Sequence, residues 1–272
     1  MAMRKLNGNE SCFGRIACCM AASLFASSGI CAEATASTPD QWQFEITPYV
    51  FAAGVKATTG VGGITADIDL SFNDIVNHLD FYGAALFEAR HGRWTFGLDS
   101  FYVRMKDEKA AYRSGPVGLV GANADLNMQL TQQIYQPFLG YRLSEGKVRF
   151  DIIGGARYTN VNIDLGLTAS TTAPLLPGGE RNVSTTKSWW DPIVGVRADM
   201  PLAEKWSIFG YADTGIGENT TYQGAAGVKW QISNMISTSL GYRYLRQNYD
   251  SGNFHWNDAT TQGAILGVGI RW

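Results

Sequence analysis

The sequence contains three histidines, His78, His91 and His255. They are the first side chains to test for chemistry, because imidazole titrates near neutral pH and so serves as a general base. A lipid hydrolase would need one beside a serine, and a protease would need one beside carboxylates. Only His255 falls in one of the longer polar connections, DSGNFHWN, where Asp250 and Asp258 lie near it. His91 falls in the short connection HGR, and His78 in NDIVNHL. A solvated loop histidine accounts for each of them without catalysis, so no catalytic residue is assigned and the chain reads as non-enzymatic. All four cysteines, Cys12, Cys18, Cys19 and Cys31, lie in the first 32 residues, which leaves no thiol for a metal site or a nucleophile beyond them. No set of residues has metal-ligand spacing. The glycine-rich GVGG is not followed by a phosphate-loop lysine, so it reads as a turn and no cofactor is implied.

What remains is a set of charges at alternate positions: Glu45, Glu88, Arg90, Asp125, Arg149, Asp151, Arg157, Asp191, Arg197, Asp199, Asp213, Lys229, Arg243 and Arg271. Neither sign dominates. If these positions share the inside of a narrow bore, burial forces them to pair, since an unpaired buried charge is costly. Asp151 with Arg197 and Asp199 with Arg157 are the pairings expected from strand order. A wider bore would leave the same groups lining water, where they would set an ion preference.

Such a face needs long strands to carry it. From Trp42 onward the sequence alternates with a period of two, broken by turns. Trp42, Phe44, Ile46 and Val50 oppose Gln43, Glu45 and Thr47, and Val148, Phe150 and Ile152 oppose Arg149 and Asp151. By the same reading Leu126, Met128, Leu130, Ile134 and Phe138 form the outer, apolar face of their segment. A soluble sandwich also alternates, but many of these runs exceed the roughly 5 or 6 residues usual in globular sheets and suit a tilted membrane crossing of about 9 to 11. Trp42, Trp94, Trp206, Trp230 and Trp272 fall at run ends, where an interfacial girdle would hold them. Short connections (91–93, 144–147, 201–205, 232–235) alternate strictly with longer ones (107–120, 164–187, 215–219, 250–257). The prediction is an all-β, transmembrane, antiparallel up-and-down barrel of ten strands: 42–56, 80–90, 94–106, 122–142, 147–163, 188–200, 205–215, 220–232, 236–249 and 258–272. Residues 62–79 read as an external strand plus a short helical turn capped by Ser71 or Asn73, with a twelve-stranded barrel as the alternative.

The first 32 residues read as an export leader: Arg4, Lys5 and Arg15 precede an apolar and small stretch from Ile16 to Ile30. Cleavage is expected after Ala32, with Ala34 or Ala36 as alternatives. Residues 33–41 then form a short extension and 42–272 the barrel domain. Removing the leader changes 22 basic and 24 acidic residues to 19 and 23, a net charge of −4, with no basic block for nucleic acid. No later apolar run approaches the length of a membrane helix.

The final segment GAILGVGIRW places Leu266, Val268, Ile270 and Trp272 on one face. It resembles the C-terminal assembly signal of Gram-negative outer-membrane β-barrels. WQFEITPYVF, TADIDLSFNDIVNHLDF, FEARHGRW and GYRYL are similar to segments of small proteobacterial barrels of mostly unassigned function, a likeness that covers about residues 42–272. The resemblance implies a monomer in the outer membrane, in contact with lipid and lipopolysaccharide and handled in biogenesis by the barrel-assembly machinery and periplasmic chaperones. It implies a structural or surface-interaction barrel, or a narrow porin-like pore for small polar solutes; the alternative is an outer-membrane lipid or peptide hydrolase working at the external rim. Deleting Trp272, or changing Ile270 and Trp272 to Ser, is expected to reduce the assembled protein severely while export and leader removal proceed. Immunoblots of outer-membrane and periplasmic fractions check this, and a normal membrane yield would count against the terminal resemblance.

Overall fold

The computed structural model describes residues 41–61, 64–107, 122–144, 146–171, 179–217, 220–251 and 254–272. The leader, its cleavage site and the extension through residue 40 lie outside them. Eleven strands and one helix follow in order: β1 Gln43–Val61, β2 Ile64–Leu70, α1 Phe72–Asn77, β3 Leu79–His91, β4 Trp94–Asp107, β5 Ala122–Arg142, β6 Arg149–Thr171, β7 Gly179–Ala203, β8 Trp206–Gly215, β9 Thr221–Gln231, β10 Ile236–Ser251 and β11 Phe254–Arg271. Each strand from β3 to β11 pairs antiparallel with the next, and β1 pairs with both β3 and β11. The result is a closed ten-stranded barrel with β2 as an addition. The last ladder rungs run between Phe44 and Trp272, whose N–H and C=O groups exchange two bonds of 3.0 Å, and their rings stack with centroids 6.0 Å apart.

Alternation sends one set of residues out. Val50, Leu98, Trp190, Val194, Leu240 and Leu266 are all exposed, as a lipid-facing belt requires. Two rings of aromatic side chains bound that belt. One lies at the end with the short turns, where Trp42 stacks on Phe44, Trp94 meets Tyr141 and Trp206 stacks on Trp230. The other lies toward the long connections, in Phe81 with Tyr102, Tyr135 with Tyr158 and Trp190, and Tyr222 with Tyr244. From Tyr222 in one ring to Trp230 in the other is nine residues of β9, about the length of a tilted crossing.

The structure corrects three sequence expectations. The strands β6 and β7 run on into what reads as a long loop, reaching 23 and 25 residues, because Thr, Asn and Val keep pairing beyond the belt. The stretch 250–257 is mostly strand, and Trp256 within it is buried. Here Asp258 has a positive φ of 52° and the pairing shifts by one residue, a bulge that lets Phe254 and Trp256 join Thr261 among the buried side chains of β11. On β5 the expected faces are reversed: Leu130, Ile134 and Phe138 are buried, and Tyr135 and Leu139 are exposed. The physical reason is that the bore is itself apolar around Leu130 and Ile134, and Phe138 fills the space left by Gly97, so hydrophobicity does not distinguish the two sides.

The wall divides at β1. Its first part pairs with β3 from Gln43↔Arg90 to Pro48↔Ala85, and its last part with β2 from Val55↔Leu70 to Val61↔Ile64. Between them Tyr49 to Gly54 have no ladder partner on that edge among the described residues. The hydroxyl of Tyr82 bridges the gap, accepting from Phe51 N–H at 2.8 Å and donating to Tyr49 C=O at 3.3 Å. Ser71 caps α1 in a reciprocal box with Asp74, whose carboxyl these bonds hold below its ordinary range. Leu70 and Ile75 then pack on the buried cluster that contains Phe51. Tyr82→Phe would leave both backbone groups of β1 unsatisfied at membrane depth, at a cost of about 1 to 3 kcal/mol. Urea unfolding in lipid vesicles should show that loss, and faster exchange of the Phe51 amide should localise it.

Candidate functional site

The bore is filled in three layers, each set by which residue types the inward positions carry. At the long-connection end the layer is apolar. Phe51, Phe101, Val161, Leu245, Phe254 and Trp256 are buried there, and Trp189 of β7 stacks on Tyr249 of β10 with centroids 4.2 Å apart. Gln247 of β10 donates to Thr159 of β6 at 2.8 Å.

Below this plug lies a polar layer organised by Arg157, which has no exposed surface. Its Nη2 donates to both oxygens of Asp213, at 2.6 and 2.8 Å, its Nε to Gln136 at 3.0 Å and its Nη1 to Thr221 at 2.7 Å. Asp213 also accepts from Tyr211 and from Gln223. Gln223 accepts two bonds from Arg243, whose Nη1 reaches the Tyr49 hydroxyl at 2.9 Å and Asp99 at 3.1 Å. Tyr49 in turn donates to Asp99 at 2.7 Å. One connected network thus ties together strands on all sides of the bore, from β1 and β4 through β5 and β6 to β8, β9 and β10.

At the turn end the layer opens into a basin of about 280 Å³. Two carboxylates in its wall each hold two cations. Glu45 takes Lys229 at 2.6 Å and Arg271 at 2.7 Å, one on each oxygen, while Glu88 takes Arg90 at 2.7 Å and Arg197. Arg142 meets Asp151 at 3.2 Å, and Arg149 meets Asp199. The Phe138 ring sits beside Gly97, where a β-carbon would come within 2.1 Å of it, and Arg197 lies 5.5 Å from the ring centroid.

Of the charges singled out from the sequence, the structure brings Glu45, Lys229 and Arg271 together, and likewise Glu88, Arg90 and Arg197. Asp191 is buried and accepts from Trp189 Nε1 at 3.1 Å. The Asp125 side chain lies outside the described residues. Both pairings drawn from strand order are overturned. Asp151 and Arg197 are register neighbours, but Asp151 pairs with Arg142 and Arg197 spans the bore to Glu88. Arg157 likewise passes over β7 to Asp213, leaving Asp199 to Arg149. Arginine is long enough to choose a partner across a narrow bore over one beside it. Sequence reasoning missed Asp99, Arg142, Tyr49, Tyr211 and the glutamines. Asp99 was legible from its place between the outward Leu98 and the inward Phe101. Arg142 was hidden by the reversed faces of β5. The assembly-signal residues Leu266, Val268, Ile270 and Trp272 are exposed on the outer face.

The histidines are scattered. His78 contacts the Asp74 carbonyl at 2.8 Å, His91 lies against Trp42, and His255 pairs with Asp250 at 2.9 Å on an exposed hairpin end, while Asp258 pairs with Arg246.

No protein-family model matches the chain, and no curated protein matches it in sequence. Its fold is similar to that of the outer membrane protease OmpT from Escherichia coli, with a TM-score of 0.51 and 13% identity over 86% of this chain and 98% of the other. Matches of lower TM-score include the translocator domain of the autotransporter NalP from Neisseria meningitidis (0.43, 15% identity, 85% and 89% covered). Another is Ail, the attachment invasion locus protein of Yersinia pestis (0.33, 11% identity, 85% and 99% covered). The chain therefore has the fold of bacterial outer-membrane β-barrels, and its place is the outer membrane.

Removing the guanidinium by Arg157→Ala leaves Asp213 buried without its cation and is expected to cost about 3 to 5 kcal/mol. Lys56→Ala breaks a pair with Asp69 that is about two-thirds exposed on both sides and should cost about 0 to 1 kcal/mol. Denaturant midpoints of the two refolded variants make the comparison, and equal midpoints would mean that the middle layer is hydrated.

Proposed function

We propose that this protein is a non-enzymatic outer-membrane barrel with a closed bore, which acts as a rigid scaffold presenting its outer connections for surface interaction. The observation that carries the reading is the Arg157 network: a fully buried cation of β6 bonded to β5, β8 and β9, in a bore that also holds the stacked Trp189–Tyr249 pair and the apolar plug. A passage for polar solutes would have to break charge-assisted bonds and part the plug, whereas a scaffold gains rigidity from both. Short turns face the periplasm in barrels of this kind, so the basin opens inward and the plug faces outward.

The hydrolase reading has one observation on its side, the His255–Asp250 pair at the outer rim. That pair is exposed and belongs to adjoining strand ends, an arrangement that a surface ion pair also explains.

Single-channel recording on the refolded protein in planar bilayers tests the proposal. The wild type is expected to be electrically silent, and Arg157→Ala to remain silent or flicker only as it loses stability. Steady wild-type conductance, with a selectivity that shifts toward cations when Arg157 or Arg197 is removed, would make the bore a pore and overturn the scaffold reading.

A further inference from the structure

The basin has a charge asymmetry that ion pairing does not remove. Among the described residues seven cations line it against five carboxylates, and the excess arises where Glu45 and Glu88 each serve two partners. The two signs are also placed differently. The Glu45 and Glu88 side chains are 6% and 5% exposed, whereas Lys229, Arg90, Arg197 and Arg271 retain 21% to 33% of their surface. These two carboxylates are turned into the wall and their four cations face the cavity. Apolar surface completes the lining, from Leu86, Phe138, Phe209 and Ile265.

We propose that this basin is a binding site for a small, soluble organic anion, a phosphate or carboxylate carried on a compact apolar body, which enters from the periplasmic end. Three physical features support it. Guanidinium groups anchored by a buried carboxylate are held in place, so little side-chain entropy is lost when they bond an oxyanion. The low-dielectric walls of a blind cavity strengthen the attraction of two uncompensated positive charges. The volume is close to the lower limit of small-molecule sites, about 300 Å³, which suits a single ring or a short chain and not a polymer. The site rests on the closed-bore reading for its blind end, and conductance and probe titration test the two separately.

Calorimetric titration of the refolded protein in dodecyl maltoside provides the test, with phenyl phosphate as probe and benzyl alcohol and benzylammonium as neutral and cationic counterparts. Phenyl phosphate is expected to bind saturably, more weakly as salt is raised, and benzyl alcohol and benzylammonium not to bind. Arg90→Gln and Arg271→Gln each leave one cation on the carboxylate behind them, Arg197 on Glu88 and Lys229 on Glu45, so both should fold. Each should weaken phenyl phosphate by about 10- to 100-fold. Heat-modifiable gel migration verifies folding, and if a variant fails to assemble, the wild-type preference for anion over neutral probe still decides. Equal binding of the three probes, no saturable binding, or unchanged affinity in folded variants would overturn the proposal. Binding of dihexanoyl phosphatidate without phenyl phosphate would also overturn it, in favour of a lipid headgroup.

Discussion

A peptide group in hydrocarbon has no water to bond, so every N–H and C=O in the wall must find a partner within the protein. The paired bonds between Phe44 and Trp272 meet that demand where the sheet would otherwise have two open edges, and with it the other strands are held in a ring. The seam between β1 and β3 shows the same constraint at work on a smaller scale. There the ladder ends at Pro48↔Ala85, β2 takes the far part of β1, and a side-chain hydroxyl from Tyr82 supplies the bonds that the backbone of β3 does not.

Closure also fixes the diameter, and the diameter fixes the interior. Ten strands leave a bore across which arginine can reach, and Arg157 and Arg197 both bond to carboxylates on non-adjacent strands. Each such bond converts a lining charge into a strut. The apolar layer at the outer end depends on this, since Phe254, Trp256 and Leu245 lie in the same narrow bore as the buried polar layer.

Much of this was legible in the sequence because the lipid imposes a regular demand on the outer face. The strand order, the short turns, the girdle tryptophans and the helical insertion capped at Ser71 follow from period, turn residues and capping chemistry. The inner face obeys no single rule, and there the reading failed. On β5 the apolar Leu130, Ile134 and Phe138 look lipid-facing by hydrophobicity, yet they are buried inside. The pairing of charges was hidden for a related reason: register places Asp151 beside Arg197, but partner choice depends on side-chain reach across the bore, which strand order does not encode. The shift at Asp258 that turns Trp256 inward was equally invisible, because a one-residue bulge leaves no compositional mark.

The three layers are therefore not equivalent, and their order along the bore carries meaning. An apolar plug on the outer side excludes water from the buried pairs beneath it and so strengthens them. The same plug leaves the basin accessible from one side alone. A lining in which Glu45 and Glu88 are buried while the four cations they hold remain partly exposed cannot relax by admitting solvent from both ends, as the wall of an open channel does. Its excess positive charge attracts anions that enter at the turn end. The filled bore and the cationic basin are two consequences of one arrangement, in which a barrel too narrow to hold a wide water column has sealed one end and left its charge at the other.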